Sequence, residues 1–409
     1  MPLFGPPDVA ALKAKRDVQG LIKALGYGGD GNVRRSAVAA LADLGDPRAV
    51  DALCLAMKHE WEHHDWAETQ AIADALVQFG APAVAPLIGL LDWHSKVVRV
   101  AVAGALAAIG LPAVGPLIEL LGDSDLETRE TASQILADIG AEAVDALVAA
   151  LNDKNLGRRQ RAARVLGEIG DSRAVPPLVR SLGDQLAGVR QAAAKSLGEI
   201  RDPAAADALV AVLKDSDLAV RRAAALALAE LKDVRGIPQL LLELRGQKTE
   251  PIIDAFVAIG PPVVEPLITA LADSKAHGDE AWIQDELRSA LTKVLGRLGI
   301  PEDVVALVLR LLGDDGADRS AAAGELMRLY QSGSLTGPAT DLIRAVRPEI
   351  ERAHAQRAPE PEAPEPPEQP EEPERPHRPE ELEAAEEPEQ PNQEADVPSE
   401  IAVNVSGQA

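Results

Sequence analysis

The chain has 409 residues, 46% of them hydrophobic but only 2% aromatic, and a net charge of −24. Its core must be built from Ala, Leu, Val and Ile, whose small side chains suit helices stacked in a row better than one large globule. The acidity repels a phosphate backbone, so general nucleic-acid binding is not expected, whereas a protein partner with a basic surface is. Cys54 is the sole cysteine and leaves no intrachain disulfide, in keeping with a reducing cytoplasm. Met1-Pro-Leu-Phe-Gly-Pro-Pro lacks a basic region before an apolar run, and no apolar stretch reaches about 18 residues. Neither a signal peptide nor a membrane span is expected.

In chain order, Asp17-Val-Gln-Gly-Leu-Ile-Lys-Ala-Leu25 reads as the second helix of a partial copy that caps an array. From there an arginine recurs with a glycine eleven positions later: Arg34/Gly45, Arg99/Gly110, Arg129/Gly140, Arg159/Gly170 and Arg288/Gly299. Arg190/Arg201 and Arg221/Lys232 keep the register without the glycine, Thr69/Gly80 and Thr249/Gly260 keep it without the arginine, and Arg319/Tyr330 is a worn last copy. Ten anchors at intervals of 28 to 39 residues define ten helical hairpins. Val98, Ala101, Val102, Ala105, Leu106 and Ile109 follow the helical rule in a first helix, as do Val220, Ala223, Ala224, Ala227, Leu228 and Leu231. Gly110 stops its helix through a left-handed backbone. Second helices carry stripes such as Val114, Leu117, Ile118 and Leu121, with Pro86, Pro116, Pro177 and Pro266 expected near their starts. Residues 337–357 are read as the opposite cap.

Residues 358–409 hold twelve prolines, sixteen acids and two bases. Such a segment buries too little apolar surface to fold, so residues 1–357 are expected as the folded array and 358–409 as a disordered acidic tail.

The stretches Asn32-Val-Arg-Arg-Ser-Ala-Val-Ala-Ala-Leu-Ala-Asp-Leu-Gly-Asp-Pro-Arg-Ala-Val50 and Asp217-Leu-Ala-Val-Arg-Arg-Ala-Ala-Ala-Leu-Ala-Leu228 resemble the HEAT-like repeat of the phycobilisome-lyase type. The resemblance covers about residues 8–357. It implies an all-α, right-handed solenoid of about ten hairpins, with second helices lining the concave face. Arrays of this kind mostly bind proteins and sometimes carry catalysis.

Three groups of residues are candidates for function. The repeated arginines form a regular ladder, and Asp30, Asp125 and Asp217, each four residues earlier, are expected to cap the first helices and to pair with arginines. Asp51, Asp145, Asp207 and Glu265 open second helices and, with Glu119 and Glu243, are read as an acidic partner-binding groove, though acids also favour helix N-termini for their own sake. Lys58-His-Glu-Trp-Glu-His-His-Asp-Trp66 is the most distinctive stretch. His59 to His63 matches H-E-x-x-H in form, but charged Glu62 and a hairpin junction oppose a zinc peptidase. His59, His63 and His94 are the candidate metal ligands if stacking brings neighbouring junctions together. The same cluster reads better as a contact surface of Trp61, Trp66, Trp93 and His94, with Trp282 on a second long junction.

Deoxyhypusine hydroxylase also resembles this chain, and in it iron is held by His-Glu pairs directly after the repeat arginine. Here those slots hold Arg35-Ser36, Val100-Ala101, Glu130-Thr131, Gln160-Arg161, Gln191-Ala192 and Arg222-Ala223. The phycobilin lyases define no catalytic residue to carry over. The sequence therefore points to a cytoplasmic protein-interaction scaffold or adaptor with no cofactor. An enzyme or accessory subunit of the lyase or hydroxylase kind is the alternative.

Overall fold

The computed structural model describes residues 6–58, 66–244, 249–276, 281–313 and 315–355, all within one unit, Met1–Ala358. Among them are 22 α-helices and six short 3-10 turns, with no strand. They pair as ten hairpins preceded by a short pair, Val9–Ala14 and Val18–Leu25, where the sequence suggested only a second helix. Helix Pro338–Ala355, read from the sequence as a cap, packs on Gly316–Gln331 as the second helix of the tenth copy and is the last described element. The acidic tail lies outside the described residues. No single described helix is long and apolar enough to cross a membrane.

The apolar stripes explain the stack. Helix Lys96–Ile109 buries Val98, Ala101, Val102, Ala105 and Leu106, all from its predicted stripe. Helix Leu218–Glu230 buries Val220, Ala223, Ala224, Ala227 and Leu228 of its stripe and also Ala225 and Ala229, while Leu231 is half-buried just past its end. It is covered on two sides because first helices of adjacent copies pack on one another. Alanine makes this possible, since it leaves neighbouring backbones free to approach. The core runs as two successive clusters, Val18 to Leu228 and Ala225 to Ala353, which share this helix.

Contact is tightest in the middle of the array. A Cβ atom on Gly198, in helix Ala187–Ile200, would lie 2.7 Å from the Cα of Ala227 in the next first helix. Ser196, buried on the same helix, donates its hydroxyl to the Ala163 carbonyl of the preceding copy at 2.8 Å. The polar side chain is thereby satisfied where no water reaches it.

Helix ends follow the predicted register. Gly110 stands at φ 72° and ψ −131°, a conformation open in practice only to glycine. Arg201 and Lys232 occupy the equivalent position at φ 58° and 57°, so side-chain-bearing residues take a left-handed backbone there. A left-handed residue with a Cβ costs about 1–2 kcal/mol, partly offset in a glycine variant by extra freedom of the unfolded chain. Lys232→Gly is therefore expected to raise stability by about 0.5–1 kcal/mol in urea denaturation. An unchanged or lowered midpoint would show that the left-handed turn carries no strain.

The prolines divide. Pro177 and Pro266 fall in the first turns of Val175–Ser181 and Val264–Ala276, as expected. Pro86 and Pro116 lie inside Ala81–Ile88 and Leu111–Leu120. In those copies Pro82 and Pro112 start the helix directly after the glycine, a turn earlier than the stripe suggests.

Candidate functional site

The arginine ladder is a clamp between copies. Arg190 donates to the Asp184 and Gln185 carbonyls (2.9 and 3.2 Å) in the loop before its own helix, and forks onto Asp215 of the next copy (2.7 and 2.8 Å). Arg159 does the same with the Asp153 carbonyl and with Asp184. Arg34 holds the Tyr27 carbonyl and both carboxylate oxygens of buried Glu68. Arg99, Arg129 and Arg221 grip the same loop carbonyls. The acids that meet Arg159 and Arg190 lie six residues before the next arginine, not four, whereas Arg34 and Arg99 reach Glu68 and Glu127, one and two residues before the next anchor. Asp30, Asp125 and Asp217 cap the helices, accepting from the Asn32, Thr128 and Ala219 N–H groups.

The six acids of the second helices are spread along the array. Asp51, Glu119, Asp145, Asp207 and Glu265 are exposed and Glu243 is half-buried. The chain's own arginines already reach three of them. Arg173 lies 3.5 Å from Asp145, Arg235 bonds Asp207 at 2.8 Å, and Arg158 pairs with Glu119. Glu243 accepts a hydrogen bond from Gln239 at 3.1 Å.

His59, Trp61 and His63 lie outside the described residues. Trp66 opens helix Trp66–Phe79 and is 50% exposed. Trp93 is half-buried against the core, its ring 4.7 Å from the His94 ring and 5.1 Å from the Lys58 Nζ. Trp282, at the start of the 17-residue helix Ala281–Arg297, is 49% exposed. Among the described residues no group of three or more His, Cys, Asp or Glu side chains is placed to hold a metal. Burial pushes the Cys54 thiol up to about 11, which keeps it protonated and unreactive at neutral pH.

A groove of about 990 Å³ crosses the first helices of the fifth to eighth copies. One column of its wall holds Gln160, Gln191 and Arg222, each at the position just after its repeat arginine. One helical turn later come Arg164, Lys195 and Leu226, on the same faces because residues four apart are helix neighbours. Leu218, Ala219 and Pro251 add apolar surface, and Glu243 is the one second-helix acid of the six that lines it.

A model of HEAT repeats matches residues 18–92, 114–196 and 182–259. The chain belongs to the HEAT-repeat family. No curated protein sequence matches it significantly. Among solved structures, human deoxyhypusine hydroxylase in complex with glycerol is 23% identical over 56% of this chain and 99% of that one, with a TM-score of 0.26. The complex of CpcE and CpcF of phycocyanin lyase from Nostoc sp. PCC7120 is 25% identical over 44% and 97%, with a TM-score of 0.30. Kap121p bound to Pho4p is 12% identical over 84% of this chain, with a TM-score of 0.46, and this chain spans only 42% of its length.

In three copies the positions after the repeat arginine line the groove, as Gln160, Gln191-Ala192 and Arg222-Ala223, and they present carboxamides, guanidinium and alanine. Guanidinium repels a metal cation and alanine has no donor, so these residues do not fit an iron centre. Gln160, Arg164, Gln191 and Arg222 line this groove and are not among the Trp and His residues that the sequence makes conspicuous. Two signals were available: a glutamine repeated at one register, and four arginines on Leu156–Ile169 in an acidic chain.

Proposed function

We propose that this HEAT array is a protein-interaction scaffold whose recognition surface includes the first-helix groove of the fifth to eighth copies. The groove carries the reading. It is long, open and walled by rigid helices whose side chains repeat in register, so a partner meets a pre-formed surface and little ordering entropy is lost on binding. Its walls offer donors, acceptors and apolar area together, the mixture that a peptide chain needs and a single small substrate does not.

The exposed second-helix carboxylates favour a second reading, in which a basic partner is drawn to the acidic face. Asp51 and Glu265 are its open points, while Asp145 and Asp207 are shared with arginines of the chain. Net charge of −24 speeds the approach of such a partner whichever surface it finally uses. A reducing cytoplasm remains the compartment that a single cysteine suits best.

Site-specific photo-crosslinking in lysate of the native host separates the two. A photoreactive residue at Gln191 is expected to trap one discrete protein, and one at Asp145 to trap far less of it. Adducts formed only from Asp145 would move the recognition surface to the acidic face. Adducts from neither position would count against the scaffold.

A further inference from the structure

The groove lies in an acidic molecule, yet its uncompensated charge is positive. Its acids mostly have cationic partners within the chain. Glu199 pairs with Lys195 (3.2 Å), Glu230 with Arg201 (2.7 Å) and Asp254 with Arg297 (2.7 Å). Glu250, the next residue in the glutamine column's register, pairs with Lys293 at 2.6 Å. Arg164 and Arg222, by contrast, have no ion pair or hydrogen bond among the described residues, and neither do the carboxamides of Gln160 and Gln191. Arg161 stands beside this row, its pKa lowered by burial and by the neighbouring Arg129 and Arg164 cations. Glu130 offsets that crowding only in part, and a bound anion at Arg164 would relieve the rest.

We infer that the groove binds an extended acidic segment of a partner protein, with carboxylates on Arg164 and Arg222 and backbone amides on Gln160 and Gln191. This rests on the groove being the recognition surface. Packed helices lie about 8–10 Å apart, so the two arginines, two helices apart, are separated by roughly 16–20 Å. An extended chain rises about 3.3 Å per residue, which places the two carboxylates about five or six residues apart. Gln191, on the helix between them, and Gln160, one turn from Arg164 on the same helix, each present a donor and an acceptor, matching the alternating N–H and C=O groups of an extended backbone. Exposed Leu218, with Leu226 and Pro251, takes one apolar side chain beside the second carboxylate. Guanidinium selects a carboxylate through two parallel hydrogen bonds, so recognition is geometric as well as electrostatic.

The test is fluorescence anisotropy on the full chain with a labelled ten-residue peptide carrying two glutamates six positions apart and one leucine. Saturable binding is expected, weakened when salt is raised, and at least tenfold weaker for the same peptide with glutamine or lysine in place of glutamate. The double variant Arg164→Glu/Arg222→Glu is expected to lose at least tenfold, and Arg164→Gln/Arg222→Gln an intermediate amount, both with unchanged thermal melts. Gln160→Ala/Gln191→Ala is expected to lose about threefold. Equal affinity in the charge-reversed variant, tighter binding of the lysine peptide, or displacement by oligothymidine at a lower concentration than by free peptide would each overturn the inference. No glutamate-peptide binding at all would also overturn it. A partner still trapped from Gln191 would then leave the scaffold reading standing with an occupant of other chemistry.

Discussion

Gly198→Ala is expected to destabilise the array by about 2 kcal/mol, and Gly198→Leu by more. Helix propensity alone gives the opposite sign, because alanine is favoured over glycine in a helix interior by about 1 kcal/mol. Packing decides against it. The new methyl group would sit 2.7 Å from the Ala227 Cα and 2.8 Å from its Cβ. A backbone atom cannot rotate away as the end of a long side chain can, so the two helices must separate, and overpacking of this kind costs about 1–3 kcal/mol or more. Gly104 is the control. It lies inside helix Lys96–Ile109 with no atom within 4 Å of its would-be Cβ, and Gly104→Ala should stabilise by about 1 kcal/mol. Urea melts of the two variants should move in opposite directions. Movement in the same direction would mean that the first helices are not in backbone contact at Gly198.

Arg190→Ala should cost about 3 kcal/mol. The side chain is only 13% exposed and its partner Asp215 only 12%, so the substitution strands a carboxylate and two loop carbonyls with little water to replace the lost donors. Asp215 would retain the Asp217 N–H at 2.9 Å. Arg190→Lys keeps the charge but loses the fork, and should fall between the two. A pH signature separates this clamp from simple loss of packing. The Arg190 hydrogen bonds hold the Asp215 carboxyl below its usual range. Burial pushes Asp184 up, but the Arg159 hydrogen bonds and the Leu186 N–H outweigh it and leave Asp184 lowered too. Asp46 is held down to about 2, chiefly by its hydrogen bond to Arg48. A carboxylate with a lowered folded pKa contributes stability above its unfolded value, near 3.9, and loses it as pH falls through the folded value. The thermal midpoint should therefore hold from pH 7 to about 5 and fall between about pH 4 and 2. In Arg190→Ala that fall should be shallower. An acid limb of unchanged depth would show that the Arg190–Asp215 pair does not couple the copies.

The hairpin and its repetition were legible because they depend on local patterns. The stripe of Lys96–Ile109 and the glycine at 110 each act within one or two turns of chain, and both appear where the spacing puts them. The caps of Asp30, Asp125 and Asp217 are equally local. The arginine clamp was only half legible. Its regularity marked it as scaffold, but its acid, 25 residues away in the next copy, becomes visible only once the copies are stacked. Trp93 illustrates the limit of conspicuous residue types, since its ring is half-buried against the core while Trp66 is exposed.

What the sequence determined by itself was the repeating unit: two helices, their apolar faces and where the first of them stops. It could do so because turn chemistry and 3.6-residue periodicity are properties of short segments. What only the tertiary structure decided was which side chains are left over after stacking. Lys195 and Glu199, four apart on one helix, pair by local spacing, but nothing in the order of the chain says that Glu230 meets Arg201 or that Asp254 meets Arg297. Nor does it say that Arg164 and Arg222 have no ion pair among the described residues along one groove. Pairing depends on distances between copies, which are set by small contacts such as Gly198 on Ala227, so the residual charge of a surface is a property of the packed array.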